Sequence, residues 1–180
     1  MGRLAAKANV HRVQGNAGPS SSGVQKVDEW ITPAGGKWDV IHFNFGLHDV
    51  KLGTGGKDNR PYATADGRQV PADEYERNLR LIVARLKTTG ATLIWASTTP
   101  IPTRKLDPLR RPGDEVKYTE IARKVMVENG VAIDDLHAFV LSEPRDIQLP
   151  SNVHFSKDGS LRLAKQVADA ILAALPNRRG

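Results

Sequence analysis

Apolar residues recur along this chain in two alternating rhythms. From 71 to 89, Tyr75, Leu79, Ile82, Val83 and Leu86 fall at helical spacing and Gly90 supplies a stop, predicting an amphipathic helix. The run 91–97, ended by Thr98-Thr99-Pro100, is largely apolar, as a strand covered on both faces has to be. Ile41, Phe43 and Phe45 alternate with His42 and Asn44, marking a second strand over 39–45. The same reading places a short strand at 8–13, a helix at 24–31 with Val24 and Val27 on its inner face, a helix at 114–129 closed by Gly130, and a short strand at 131–134. A last helix spans 157–175, with Ala164, Val167, Ala168, Ile171, Leu172 and Leu175 as its inner stripe. The glycine-rich, charged stretch 50–70 and the proline-rich stretch 101–113 read as loops, and 15–23 as a turn-rich segment.

Strands that alternate with helices specify an α/β protein of three layers, with a parallel sheet between helices. At 180 residues and 39% apolar content, the chain is expected to be a single domain, 1–180, around one core. No apolar run approaches the roughly 20 residues that cross a bilayer, and 1–7 lacks the features of a signal peptide. No membrane partner is therefore expected, and the compartment stays open. There are no cysteines, which excludes disulfides and thiolate chemistry. Net charge is +6, but the cations fall in small scattered clusters such as Arg104-Lys105 and Arg110-Arg111, without interleaved aromatics. That pattern describes a solvated basic surface and not a nucleic-acid track.

In a sheet of this kind ligands sit at the carboxyl ends of the strands. Three segments would meet there: the turn after 8–13, the Gly46-Leu47-His48-Asp49 turn after 39–45, and the loop bearing His154. His154 stands two residues before Ser156, a helix-capping residue type. An imidazole anchored on one edge at such a place suits a general base. Ser20, Ser21 and Ser22 are expected chiefly to cap the helix that follows them, with Ser20 and Ser21 as the candidate nucleophiles. His42, His48, Asp49 and His154 lack metal-ligand spacing, and Gly53-Thr54-Gly55-Gly56-Lys57 is not followed by an apolar helix. Neither a metal nor another cofactor is expected.

These blocks, in this order, resemble the SGNH (GDSL-type) hydrolases over nearly the whole chain. Asn44-Phe45-Gly46-Leu47-His48-Asp49 is similar to the third block of a subgroup found among carbohydrate esterases, Asn16-Ala17-Gly18-Pro19 to the second block, and Ser151-Asn152-Val153-His154-Phe155 to the fourth. The resemblance implies a flavodoxin-like fold and an ester hydrolase acting on small acyl esters, with acetylated carbohydrates as the substrate class. It also implies roles: His154 as base, Gly18 and His48 in an oxyanion hole, Asn16 and Asp49 on the substrate, and Ser151 at the position of the base's usual aspartate partner. The family's first block, the Gly-Asp-Ser turn with its nucleophile, is absent together with the first strand. The chain is accordingly expected to be N-terminally truncated, with 3–7 as the tail of the helix that follows that strand. A non-catalytic saccharide-binding module and a fragment of a longer enzyme are the rival readings. Loss of the strand would leave an unpaired edge between 8–13 and 39–45, from which a homodimer or higher oligomer is expected.

Overall fold

The largely apolar runs pair side by side. In the computed structural model, which describes residues 4, 7–54 and 60–176, β1 (Val40–Phe43), β2 (Thr92–Ala96) and β3 (Ala132–Asp134) form one parallel sheet in the order β1-β2-β3. Ile41 lies beside Leu93, and Trp95 beside Ile133. One face of this sheet carries α1 (Ser20–Ile31), α2 (Ala72–Lys87) and α3 (Asp114–Glu128), with α2 packed between the other two. Tyr75, Leu79 and Val83 of α2 and Ala122, Val125 and Met126 of α3 close over Leu93 and Trp95, all buried in one core. At about 25 cal/mol per Å² of apolar surface removed from water, such a core is the main stabilising term.

The opposite face carries α5 (Lys157–Ala174), preceded by the short α4 (Leu136–Ser142). It holds a polar cluster. His42 Nε2 lies 3.0 Å from Asp134 Oδ2 across β2, and Gln166 Nε2 of α5 donates to Asp134 Oδ1 at 3.0 Å. The Asp134 carboxylate, almost fully buried, thus has a partner on each oxygen.

Four expectations are corrected. Residues 8–13 form no strand: no neighbouring strand edge completes their backbone bonds, and His11 instead meets the Trp38 ring edge-on at 5.2 Å. The serines do not cap a helix beginning at Val24; they are the first turn of α1, whose N-cap is Pro19 without any side-chain cap. The Ser20 N–H is satisfied from a distance, by Asp49 Oδ1 at 2.8 Å. On α5, Ala164 faces solvent while Ala168 is buried. Helix α4 was not expected at all; Asp135 caps it by accepting from the Ala138 N–H at 3.1 Å. Of the helix tail expected at 3–7, Leu4 and Lys7 make a single turn, and the remainder lies outside the described residues, as does 55–59 of the long loop.

Candidate active site

The turn after β1 is held from all sides. Tyr75 OH of α2 donates to the Phe45 carbonyl at 2.8 Å, and so does Thr98 Oγ1 at 3.2 Å. Arg110 Nε donates to the Leu47 carbonyl at 2.6 Å, and the Val70 N–H to the Asp49 carbonyl at 3.1 Å. Asn44, on the exposed end of β1, donates to the Ala96 carbonyl at 2.7 Å and ties β1 to β2 where both strands finish. Each backbone oxygen of the turn therefore has a fixed address, which fixes His48 in turn.

His48 joins the second block through one side chain. The Gly18 N–H donates to Asn16 Oδ1 at 2.9 Å, which requires the Asn16 amide nitrogen to face the other way. That nitrogen lies 3.0 Å from His48 Nε2 and donates to it, so the His48 proton sits on Nδ1. Burial pushes the His48 pKa down to about 4, helped by the positive charges of Lys51 and Arg110 and by the neighbouring His154 ring. His48 is a neutral donor and acceptor at any ordinary pH. The positive φ of Gly18, +74°, lets the chain turn from this bridge directly into α1.

His154 sits on a small hairpin. Leu149 N–H donates to the His154 carbonyl at 3.0 Å, and Ser156 N–H to the Ile147 carbonyl at 2.8 Å, with Gln148 and Phe155 bridged antiparallel between them. Gln148 Nε2 ties the hairpin to the Pro100 carbonyl beyond β2 at 2.9 Å. Beneath it, Gly159 of α5 comes so close to the Ile147 carbonyl that a Cβ there would lie 2.2 Å from the oxygen. His154 itself is exposed. Its Nδ1 lies 2.6 Å from Asn152 Oδ1, which also accepts from the His154 N–H at 3.0 Å. Since that oxygen can only accept, Nδ1 carries a proton, and in the neutral ring the lone pair then lies on Nε2, which makes no hydrogen bond among the described residues. Ser156 caps α5 by accepting from the Gly159 N–H at 3.1 Å. Ser156→Ala is expected to lower stability by about 1 kcal/mol and to loosen the His154 hairpin. Calorimetry reads the first effect, and an unchanged Tm would show that the cap contributes nothing.

Asn16, Gly18 and His48 are thus brought into one hydrogen-bonded chain, with the His154 ring near enough to act on His48. Other residues singled out in the sequence take different places. Ser20 is fully buried, and its hydroxyl accepts from Asn78 Nδ2 at 3.0 Å. Ser21 and Ser22 are half-buried, and the Ser22 side chain lies against Gly18. Ser151 is exposed at the hairpin tip with φ +54°, while Asn152 makes the contact to His154. Asp49 is fully buried, and burial pushes its pKa up to about 6. The sequence reading missed Asn152 as the partner of His154, although an Asn two residues ahead is a familiar side-chain-to-backbone turn. It also missed Arg110, whose burial beside Leu47 no local pattern announces.

No protein-family model and no curated relative matches the sequence. Solved structures do match. A lipase/acylhydrolase from Enterococcus faecalis superposes with a TM-score of 0.69 over 90% of this chain and 74% of that one, at 15% identity. The acetyl xylan esterase AlAXEase does so with a TM-score of 0.65 over 87% and 78%, at 18% identity. The protein TesA gives a TM-score of 0.67 over 96% and 84%, at 13% identity. The α/β fold of these proteins is the fold of this chain. At these identities the likeness concerns the fold alone. The turn bearing His48 follows the end of β1, and the hairpin bearing His154 is tied to Pro100 beyond the end of β2, the edge at which ligands of open α/β sheets bind.

Proposed function

We propose that this chain hydrolyses small acyl esters, acetyl esters of carbohydrates foremost, with His154 as the general base. The observation that carries the reading is the state of His154: Nδ1 is held by Asn152, Nε2 makes no hydrogen bond among the described residues, and His48 with its Asn16–Gly18 bridge is within electrostatic reach. The esterases among the fold's neighbours add support.

Attack on an ester carbonyl gathers negative charge on its oxygen, and donors placed around that oxygen supply the largest part of catalysis. Asn16 Nδ2 and the Gly18 N–H are such donors, set in the positive field of Lys51 and Arg110. The Gly18 N–H is satisfied by Asn16 Oδ1 before substrate arrives, so the carbonyl oxygen has to take that bond over. His154 Nε2 then accepts the proton of the attacking hydroxyl and returns it to the departing alcohol; where that hydroxyl is a serine, water activated in the same way then attacks the acyl-serine, releases the acid and restores the serine. Asn152 carries no charge, so it fixes the tautomer without stabilising the imidazolium as a carboxylate would. Among the described residues no serine hydroxyl is hydrogen-bonded to His154. Low turnover is therefore expected.

Hydrolysis of a chromogenic acetate is the test. His154→Ala should cut the rate about 10²-fold or more. A loss of similar size in Ser21→Ala or Ser22→Ala would identify the nucleophile, and a rate indifferent to His154→Ala would refute the reading. The outer edge of β1, unpaired among the described residues, supports self-association as a further part of the proposal. A monomer by light scattering at high concentration would count against it.

A further inference from the structure

Two cations flank His48, and among the described residues neither is in an ion pair. Arg110 is 7% exposed, its Nε bound to the Leu47 carbonyl and one Nη to the Pro108 carbonyl at 3.2 Å. Lys51 leaves the same turn, its N–H on the His48 carbonyl at 3.2 Å, and is half-buried. Burial, and after it the charge of Arg110, presses the Lys51 pKa down. Among the described residues neither Lys51 nor Arg110 forms an ion pair, and only neutral carbonyls receive the guanidinium.

Burying a cation without a counter-charge costs several kcal/mol, so sites that do it are commonly completed by an anion. Backbone carbonyls satisfy the geometry of Arg110 but not its charge. With Nε and Nη1 donating to carbonyls, Arg110 has the N–H groups of its other Nη to offer a carboxylate oxygen, and a lysine adds a point charge beside it. A carboxylate here would sit next to His48, one side chain away from Asn16 and Gly18.

We propose that this site takes an acidic saccharide: a ligand bearing a carboxylate, apart from any ester, docked on Lys51 and Arg110. This deepens the esterase reading by naming its substrate class and rests on that reading only for the chemistry that follows binding. A carboxylate-bearing sugar recognised by Lys51 and Arg110 would be oriented before hydrolysis, so its charge would determine affinity and register, while His154 performs the proton transfer.

Binding is measured by calorimetric titration of glucuronate, glucose and inorganic phosphate at constant ionic strength, on the intact chain and on Lys51→Met and Lys51→Arg. Glucuronate is expected to bind about tenfold or more tighter than glucose, a difference of about 1.4 kcal/mol. Lys51→Met should weaken glucuronate by a similar factor, and Lys51→Arg, which keeps the charge, should restore most of it. Far-ultraviolet circular dichroism checks that both variants are folded. Equal affinity for the two sugars, no binding of either, or indifference to Lys51→Met would overturn the proposal. Phosphate binding as tightly as glucuronate would overturn it too, in favour of an unselective anion site. Turnover of the neutral chromogenic acetate is scored separately, so an active esterase that ignores glucuronate loses this proposal alone.

Discussion

Asp49→Asn is expected to stabilise the protein by roughly 3 kcal/mol at pH 8 and to weaken it slightly at pH 4. The Asp49 carboxyl is fully buried, with Oδ1 on the Ser20 N–H at 2.8 Å and Oδ2 without a partner. Burial raises its pKa from 3.8 to about 6, outweighing the opposing bonds from the Ser20 hydroxyl and N–H. A raised acid pKa means that the folded state holds the proton more tightly than the unfolded chain does. The stability this confers is fully present below about pH 4 and is lost as pH rises through about 6. A shift of about two units corresponds to roughly 3 kcal/mol at 1.36 kcal/mol per unit. Asparagine is a close stand-in for the protonated acid. Its Oδ1 accepts from Ser20, and its amide brings two buried N–H groups where the acid has one O–H, so the variant should be slightly the weaker in acid and the stronger in base. Urea unfolding at several pH values reads this directly. Parallel stability curves for the two proteins would show that Asp49 is not the titrating group.

The carboxyl has a structural reason to stay despite that penalty. It ties the His48 turn to the first N–H of α1, the helix that begins immediately after Gly18 and Pro19. Two blocks of the candidate site, 29 positions apart in sequence, thus share one bond. A residue that weakens the fold above pH 6 while registering two halves of a site is a stability cost of the kind expected at functional positions. Here the polar group is also partly satisfied, so the cost is bounded.

What could be read from the sequence was whatever repeats locally. The stripe of α2 and the apolar run of β2 each declare their burial within a few residues, because a packed face forces one period on the side chains. Residues 8–13 show the limit of that reasoning. Alternation describes what a strand would look like, but a strand exists only where it is paired, and 8–13 pair with no strand although the outer edge of β1 is open among the described residues. Helix α4 has only seven residues, too few for a period to emerge, and its one local signal was the Asp135 cap. The site divides in the same way. Gly18, His48 and His154 were legible as motif residues. The bridge through Asn16, the burial of Arg110 and the His42–Asp134 pair across β2 join positions 32, 63 and 92 apart, which no window along the chain contains. Ser20 was misjudged for the same reason: its burial depends on Asp49 and Asn78, not on its neighbours.

Gly46→Ala should be among the most damaging single substitutions in the chain, at roughly 4 kcal/mol. Gly46 has φ +151°, a backbone region open to glycine almost alone. A Cβ there would also fall 2.2 Å from Thr98 Oγ1 and 3.2 Å from Thr98 Cβ. Thr98 cannot swing aside freely, for it is buried, donates to the Phe45 carbonyl at 3.2 Å and accepts from Asn44 Nδ2 at 3.4 Å. Backbone strain of about 1–3 kcal/mol therefore adds to overpacking of about 1–3 kcal/mol. Against a total stability of about 5–15 kcal/mol, that is enough to unfold a marginal domain. The two parts separate in a double-mutant cycle with Thr98→Ala, which removes the oxygen that a new methyl would strike. The double variant should recover about 1–3 kcal/mol relative to the sum of the single changes, and the backbone part should remain. Esterase turnover should follow, because Gly46 opens the turn that carries His48 and its carbonyl receives the Val50 N–H at 3.1 Å. A single substitution costing less than about 1 kcal/mol in denaturant unfolding, within the range of ordinary surface changes, would show that the turn can relax around residue 46. An absence of coupling to Thr98 would locate the penalty in the backbone alone.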